Sequence, residues 1–129
     1  MNAPERTAAF MLDEDNGEQK IKYAPSTKVP NAGTFTFNKE DHTVGNLLRM
    51  QLLLDSNVHF AGYMMPHPLI NSLTMTVQTS ATHIAPLDVV KNALDDLQSE
   101  TVSLGESFER GLREWHEKEG ERGMRSREL

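Results

Sequence analysis

No cysteine occurs among the 129 residues, which excludes disulfides, thiolate zinc sites and thiol nucleophiles together. Long apolar runs are missing as well. Those present fall far short of the roughly 18 residues a membrane helix needs, and the N-terminus has no basic start followed by an apolar stretch. The sequence therefore predicts no membrane partner and no visible export signal. Basic residues are in deficit: 13 Lys plus Arg against 19 Asp plus Glu gives a net charge of −6. A free-standing nucleic-acid binder carries a basic stripe to neutralise phosphates, so this balance implies little or no direct nucleic-acid contact. No internal repeat is present.

What is present fits one domain with a single core, since a chain of this length buries somewhat over 60% of its extended surface. Its organising stretch is Glu40-Asp41-His42-Thr43-Val44-Gly45-Asn46-Leu47-Leu48-Arg49. After the alternating Phe35 and Phe37, the apolar period changes from two to three and four, with Val44, Leu47, Leu48, Gln51 and Leu52 expected on one helical face. Either Asp41 or Thr43 can cap this helix, because a short side-chain oxygen accepts a bond from a free N–H of the first turn. Gly45 costs about 1 kcal/mol against alanine inside a helix, so it marks a close contact.

Around that helix the chain reads as short strands. Asn16-Gly17 lies in an acidic turn between Phe10–Leu12 and Lys20–Tyr23, which predicts a first hairpin. Pro25 and Pro30 bracket a connector, because proline has no N–H to give a central ladder. Residues 33–38 alternate Phe35 and Phe37 against Thr34, Thr36 and Asn38. Residues 58–65 place Val58, Phe60, Gly62 and Met64 on one face, with His59, Ala61, Tyr63 and Met65 on the other. Pro66-His67-Pro68 forces a corner, and residues 69–79 follow as an antiparallel neighbour with Leu73, Met75 and Val77 inside.

From Ala85 the period changes a last time. Pro86 suits a first helical turn, and Val90, Leu94, Leu97, Thr101, Leu104, Phe108, Gly111 and Trp115 then recur at spacings of four and three. This is a heptad seam for packing against another helix, with Leu87, Ala93, Val102 and Leu112 as further apolar positions. It runs about seven turns, roughly 38 Å at 1.5 Å per residue, longer than the core of so small a domain. An overhanging apolar seam asks for a second chain. Residues 116–129 read as a charged, flexible tail interrupted by Gly120 and Gly123. Its Arg122, Arg125 and Arg127 could face nucleic acid, but Glu117, Glu119, Glu121 and Glu128 cancel that field.

Catalytic and metal readings fare poorly. Glu40, Asp41 and His42 could be drawn as a base with its carboxylate, yet adjacent residues at a helix start point in different directions and no nucleophile accompanies them. The 5 histidines include no pair at helical spacing, so no metal or other cofactor is expected. Arg49 is the more informative charge, since its planar fork suits interfaces.

Asp41-His42-Thr43-Val44-Gly45-Asn46-Leu47-Leu48-Arg49 resembles the signature of the small alpha-like subunits of eukaryotic and archaeal RNA polymerases, and its core is similar to a helix of the bacterial alpha amino-terminal domain. Met1 to Arg6 resembles the opening of the polymerase II branch, while Lys28-Val29-Pro30-Asn31-Ala32 and His67-Pro68-Leu69 match two further landmarks. The likeness covers residues 1 to about 115. It departs at Thr7-Ala8-Ala9, where the family is bulkier, at Met65-Pro66, where an acidic residue is usual, and in the arginine-containing tail.

The resemblance implies an α+β fold: one two-layer domain over residues 1–115, a small, mostly antiparallel four-stranded sheet with a short and a long helix on one side. It implies a non-catalytic assembly subunit of nuclear RNA polymerase II that heterodimerises with the larger alpha-like subunit. That pair then seats the second-largest subunit and, with other polymerase subunits, serves DNA-templated transcription. The expected interface comprises Gly45, Leu47 and Leu48 on the short helix and Val90, Leu94, Leu97, Leu104, Phe108 and Trp115 on the long one. His42, Asn46 and Arg49 would align the helix ends or contact the large subunit. Two alternatives stay open: the related subunit of polymerases I and III or of the archaeal enzyme, and a free homodimeric interaction module using the same seam.

Overall fold

Alternating side chains build the sheet from Ile21–Pro25 (β1), Ala32–Asn38 (β2), Val58–Met64 (β3) and Ser72–Thr79 (β4), and His42–Leu54 (α1) and Pro86–Glu128 (α2) are the helices. The structure is a computed structural model and describes residues 3–128. Met1 and Asn2 of the opening motif, with Leu129, lie outside the described residues. The strand order is β1-β2-β4-β3, and every pairing is antiparallel.

The register decides which face is covered. Tyr23, Phe35, Met75 and Tyr63 form one row across the four strands, and Ile21, Phe37 and Leu73 lie beside it on the same face. Phe35, Phe37, Leu73, Met75 and Val77 are buried there, with the Tyr23 and Phe35 rings 4.6 Å apart. The opposite row, Lys22, Thr36, Thr74 and Met64, belongs to an open face. Cover for the apolar face comes from Gly45, Leu48 and Leu52 of α1 and from Val89, Val90 and Ala93 of α2. α1 and the opening turns of α2 therefore lie on the same side of the sheet, as the two-layer expectation required.

Thr79 fixes the chain path into α2. It is the one buried polar residue among those described, and its hydroxyl lies 2.7 Å from the Ile84 carbonyl and 2.9 Å from that of Ala81. Asn31 donates its amide to the Thr79 carbonyl, and the Thr79 N–H donates to the Asn31 carbonyl at 2.9 Å. A buried hydroxyl satisfied in this way pins the loop that delivers Pro86 to its buried position at the helix start.

Several expectations are corrected. No strand forms at Phe10–Leu12. A short 3-10 turn, Glu14–Asn16, precedes Gly17, whose φ of 76° explains the glycine. β1 pairs instead with β2, where Ile21 and Tyr23 extend an existing apolar row. On β3 the predicted faces are exchanged: Ala61 is buried with the core, whereas Phe60 and Met64 are exposed. The cause is an irregularity between Val58 and Phe60, where one extra residue shifts the alternation. β4 begins at Ser72, leaving Leu69 and Ile70 exposed in the corner. Finally, α2 passes through residue 115 and on to Glu128. Its Glu, Arg and Lys favour helix strongly enough to carry Gly120 and Gly123, and Glu119 pairs with Arg122 at 3.3 Å.

The chain divides into two compact units, Met1–Leu94 and Asp95–Leu129. The first holds the sheet, α1 and the opening turns of α2. The second is the remainder of α2.

Candidate subunit interface

Asp41 opens α1 as its N-cap. The Thr43 N–H donates to its carboxylate at 2.9 Å, and this bond, with a smaller contribution from the charge of His42, holds the Asp41 carboxyl below its ordinary value. The choice between Asp41 and Thr43 is thereby decided. Lys39, with φ 60°, makes the turn from β2, and its N–H donates to the Asn71 carbonyl at 2.6 Å. Lys20 reaches Glu40 at 2.7 Å and ties β1 to the start of the helix.

Gly45 meets the Tyr63 ring. A Cβ at this position would stand 2.6 Å from Tyr63 Cε2, and the Tyr63 hydroxyl lies 2.8 Å from His42 Nδ1. Thus the signature glycine and histidine are joined by an aromatic of β3. The periodicity marked a close approach, and the tertiary structure supplies its partner within the chain.

α1 has two apolar faces. Gly45, Leu48 and Leu52 face the core, while Leu47, Met50 and Leu54 recur three and four apart and are exposed. The expected single face for Leu47 and Leu48 is therefore corrected. Leu48 is 0% exposed and Leu47 is 50% exposed, because consecutive residues stand about 100° apart on a helix of 3.6 residues per turn. Met50, Leu53 and Leu54 were missed as surface candidates, although the spacing from Leu47 to Met50 and Leu54 was available to find them. Arg49 donates to the Asn46 side chain at 2.7 Å, so the exposed Asn46 and the half-buried Arg49 form one polar unit.

On α2 the stripe changes character along its length. Val90 is buried, as are its neighbours Val89 and Ala93. Leu94 is 38% exposed and Leu97 is half-buried. Further on, Leu104, Phe108 and Trp115 are exposed by 72%, 69% and 56%. Of the twelve expected interface residues, Gly45, Leu48 and Val90 are thus committed to the chain's own core and have little surface to offer. Leu47, Leu94, Leu104, Phe108 and Trp115 retain theirs. Among the described residues no group of His, Asp and Glu could hold a metal ion, and no helix is long and apolar enough to cross a membrane.

The unit of the sheet, α1 and the opening turns of α2 leaves Leu47, Met50, Leu54, Leu87 and Leu94 uncovered, and the remainder of α2 leaves Leu104, Phe108 and Trp115 uncovered. The profile of the RNA polymerase Rpb3/Rpb11 dimerisation domain matches residues 32–107, which is more than half the chain. The chain belongs to this family. It is similar to DNA-directed RNA polymerase II subunit rpb11 of Dictyostelium discoideum, with 45% identity over 108 residues covering 84% of this chain and 88% of the relative. A protein of Caenorhabditis briggsae named probable DNA-directed RNA polymerase II subunit RPB11 is 48% identical over 100 residues, covering 78% of this chain and 79% of the relative. The Schizosaccharomyces pombe subunit RPB11 is 40% identical over 115 residues, covering 89% and 88%. Among solved structures, DNA-directed RNA polymerase subunit L of Thermoplasma acidophilum superposes with a TM-score of 0.61 at 22% identity, over 76% of this chain and 95% of that one. That likeness is one of fold.

Proposed function

We propose that this chain is a non-catalytic assembly subunit of nuclear DNA-dependent RNA polymerase II, working as a heterodimer with the larger alpha-like subunit. The observation that carries the reading is the uncovered apolar seam at Leu104, Phe108 and Trp115, in a chain of the Rpb3/Rpb11 dimerisation family. Relatives named as polymerase II subunits at 40% to 48% identity support this branch over the polymerase I and III or archaeal ones.

The mechanism is burial. Each large apolar side chain taken out of water contributes about 1.5–3 kcal/mol, so pairing the α2 seam and the outer stripe of α1, Leu47, Met50 and Leu54, stabilises two chains that are each incomplete alone. Asn46 and Arg49, linked to each other beside that stripe, would align the pair or meet the second-largest subunit. The assembled pair is then a rigid platform for the catalytic subunits, and this chain itself performs no chemistry.

Co-expression tests the reading. The chain together with the larger alpha-like subunit should purify as a one-to-one complex and recruit the second-largest subunit. A chain that stays monodisperse and leaves that subunit unbound would refute it.

A further inference from the structure

In the heptad frame that puts Leu94, Thr101, Phe108 and Trp115 at one core position and Leu97, Leu104 and Gly111 at the other, residues 98, 100, 105, 107, 112, 114, 119 and 121 flank the seam. The charged residues at these positions are Glu100, Glu114, Glu119 and Glu121, all exposed and all of one sign. The positive residues of the same stretch lie elsewhere. Arg110 and Arg113 occupy outer positions, and Lys118 lies in the seam register itself. Glu119 reaches Arg122, whereas among the described residues no ion pair involves Glu100, Glu114 or Glu121.

A second copy of this chain is a poor occupant of such a seam. Antiparallel pairing sets like flanks against each other, so the register that opposes Glu100 with Glu121 sets glutamate against glutamate at both ends of the seam, with Glu114 against Ser107 between them. Parallel pairing sets Glu114 against Glu119. Like charges at flanking positions oppose association and determine partner choice.

We infer that the seam of α2 takes a partner helix bearing Lys or Arg beside its own apolar stripe, and that Glu100, Glu114 and Glu121 select this partner and exclude self-pairing. The inference rests on the heterodimeric reading and adds the chemistry of the partner's surface. The glutamates do not supply the bulk of the affinity, which belongs to Leu104, Phe108 and Trp115. They set encounter and discrimination, as charges at the rim of an interface do.

The test compares the full chain with the triple variant Glu100→Lys, Glu114→Lys, Glu121→Lys, each mixed with the larger alpha-like subunit at about 50 mM and about 500 mM salt, where the screening length falls from roughly 14 Å to roughly 4 Å. Circular dichroism establishes that both chains keep their helix. The expected result is association slowed about tenfold or more at low salt for the variant, with the two chains converging at high salt. In sedimentation of the chains alone, the wild type should self-associate more as salt rises. Equal association at both salt concentrations, or wild-type homodimers that are tightest at low salt, would overturn the inference. If the wild type fails to bind the larger subunit at any salt concentration while its self-association still rises with salt, the heterodimeric reading fails and the exclusion of self-pairing survives.

Discussion

Gly45 and the α2 glycines look alike in sequence and differ in what surrounds them. An alanine at 45 gains helix propensity but drives its Cβ into a tyrosine ring held by His42. Overpacking of this kind costs about 1–3 kcal/mol, so Gly45→Ala should lower stability in urea denaturation. At Gly111 nothing lies within 4 Å of the added carbon, and Gly111→Ala should stabilise the isolated chain by about 0.5–1 kcal/mol. Asp41 gives a pH signature. Its carboxyl titrates below its ordinary value of 3.8 because the charged form caps the helix, so its stabilisation is complete above that value and is lost as pH falls through the lowered one. The melting temperature of Asp41→Ala should therefore lie below wild type near neutrality, and the gap should close in acid. Asp41 was visible in the sequence as a capping candidate. What made it the cap was the backbone geometry that brings the Thr43 N–H to its oxygen.

At the scale of the element, α1 separates two jobs that its sequence superimposes. Leu48→Ala should cost the isolated chain about 2–5 kcal/mol, as truncation of a fully buried leucine does, whereas Leu47→Ala should change stability by about 0.5 kcal/mol or less and weaken pairing with the larger subunit. Chemical denaturation and a binding titration on both variants measure the crossover. Equal losses of stability would contradict the two-faced helix. For α2, Phe108→Ala should likewise leave folding of the chain unchanged and reduce affinity. The change of period at Ala85 and the seam from Val90 to Trp115 were legible because a helix repeats its face with its own geometry. The end of the helix was not. Glycines and a run of charge resemble a tail, yet good helix formers between them sustain the backbone to Glu128.

For the whole molecule, burial and exposure are divided unevenly. The sheet, α1 and the first turns of α2 hold the buried side chains, and Asp95–Leu129 forms a unit of its own whose side chains over residues 98–128 are exposed. Amides with few buried apolar contacts open at low free energy. Hydrogen exchange should accordingly show β4 strongly protected in the isolated chain and residues 98–115 weakly protected, with protection of that stretch rising on binding the larger alpha-like subunit. Unchanged exchange across residues 98–115 in the complex would remove the seam from the interface.

The sequence by itself determined the secondary-structure periods, the α+β class, the signature that places the chain in its family and the existence of an apolar stripe too long for one small core. These are local quantities, set by how a backbone repeats and by which side chains it repeats. Only the tertiary structure decided that Tyr63 sits over Gly45, that Ala61 and not Phe60 faces inward, that Leu48 is core while Leu47 is surface, and that β1 joins β2. Each of these depends on pairing between segments far apart in the chain, where a single extra residue on β3 exchanges its faces and no local pattern records which of two apolar surfaces will be covered.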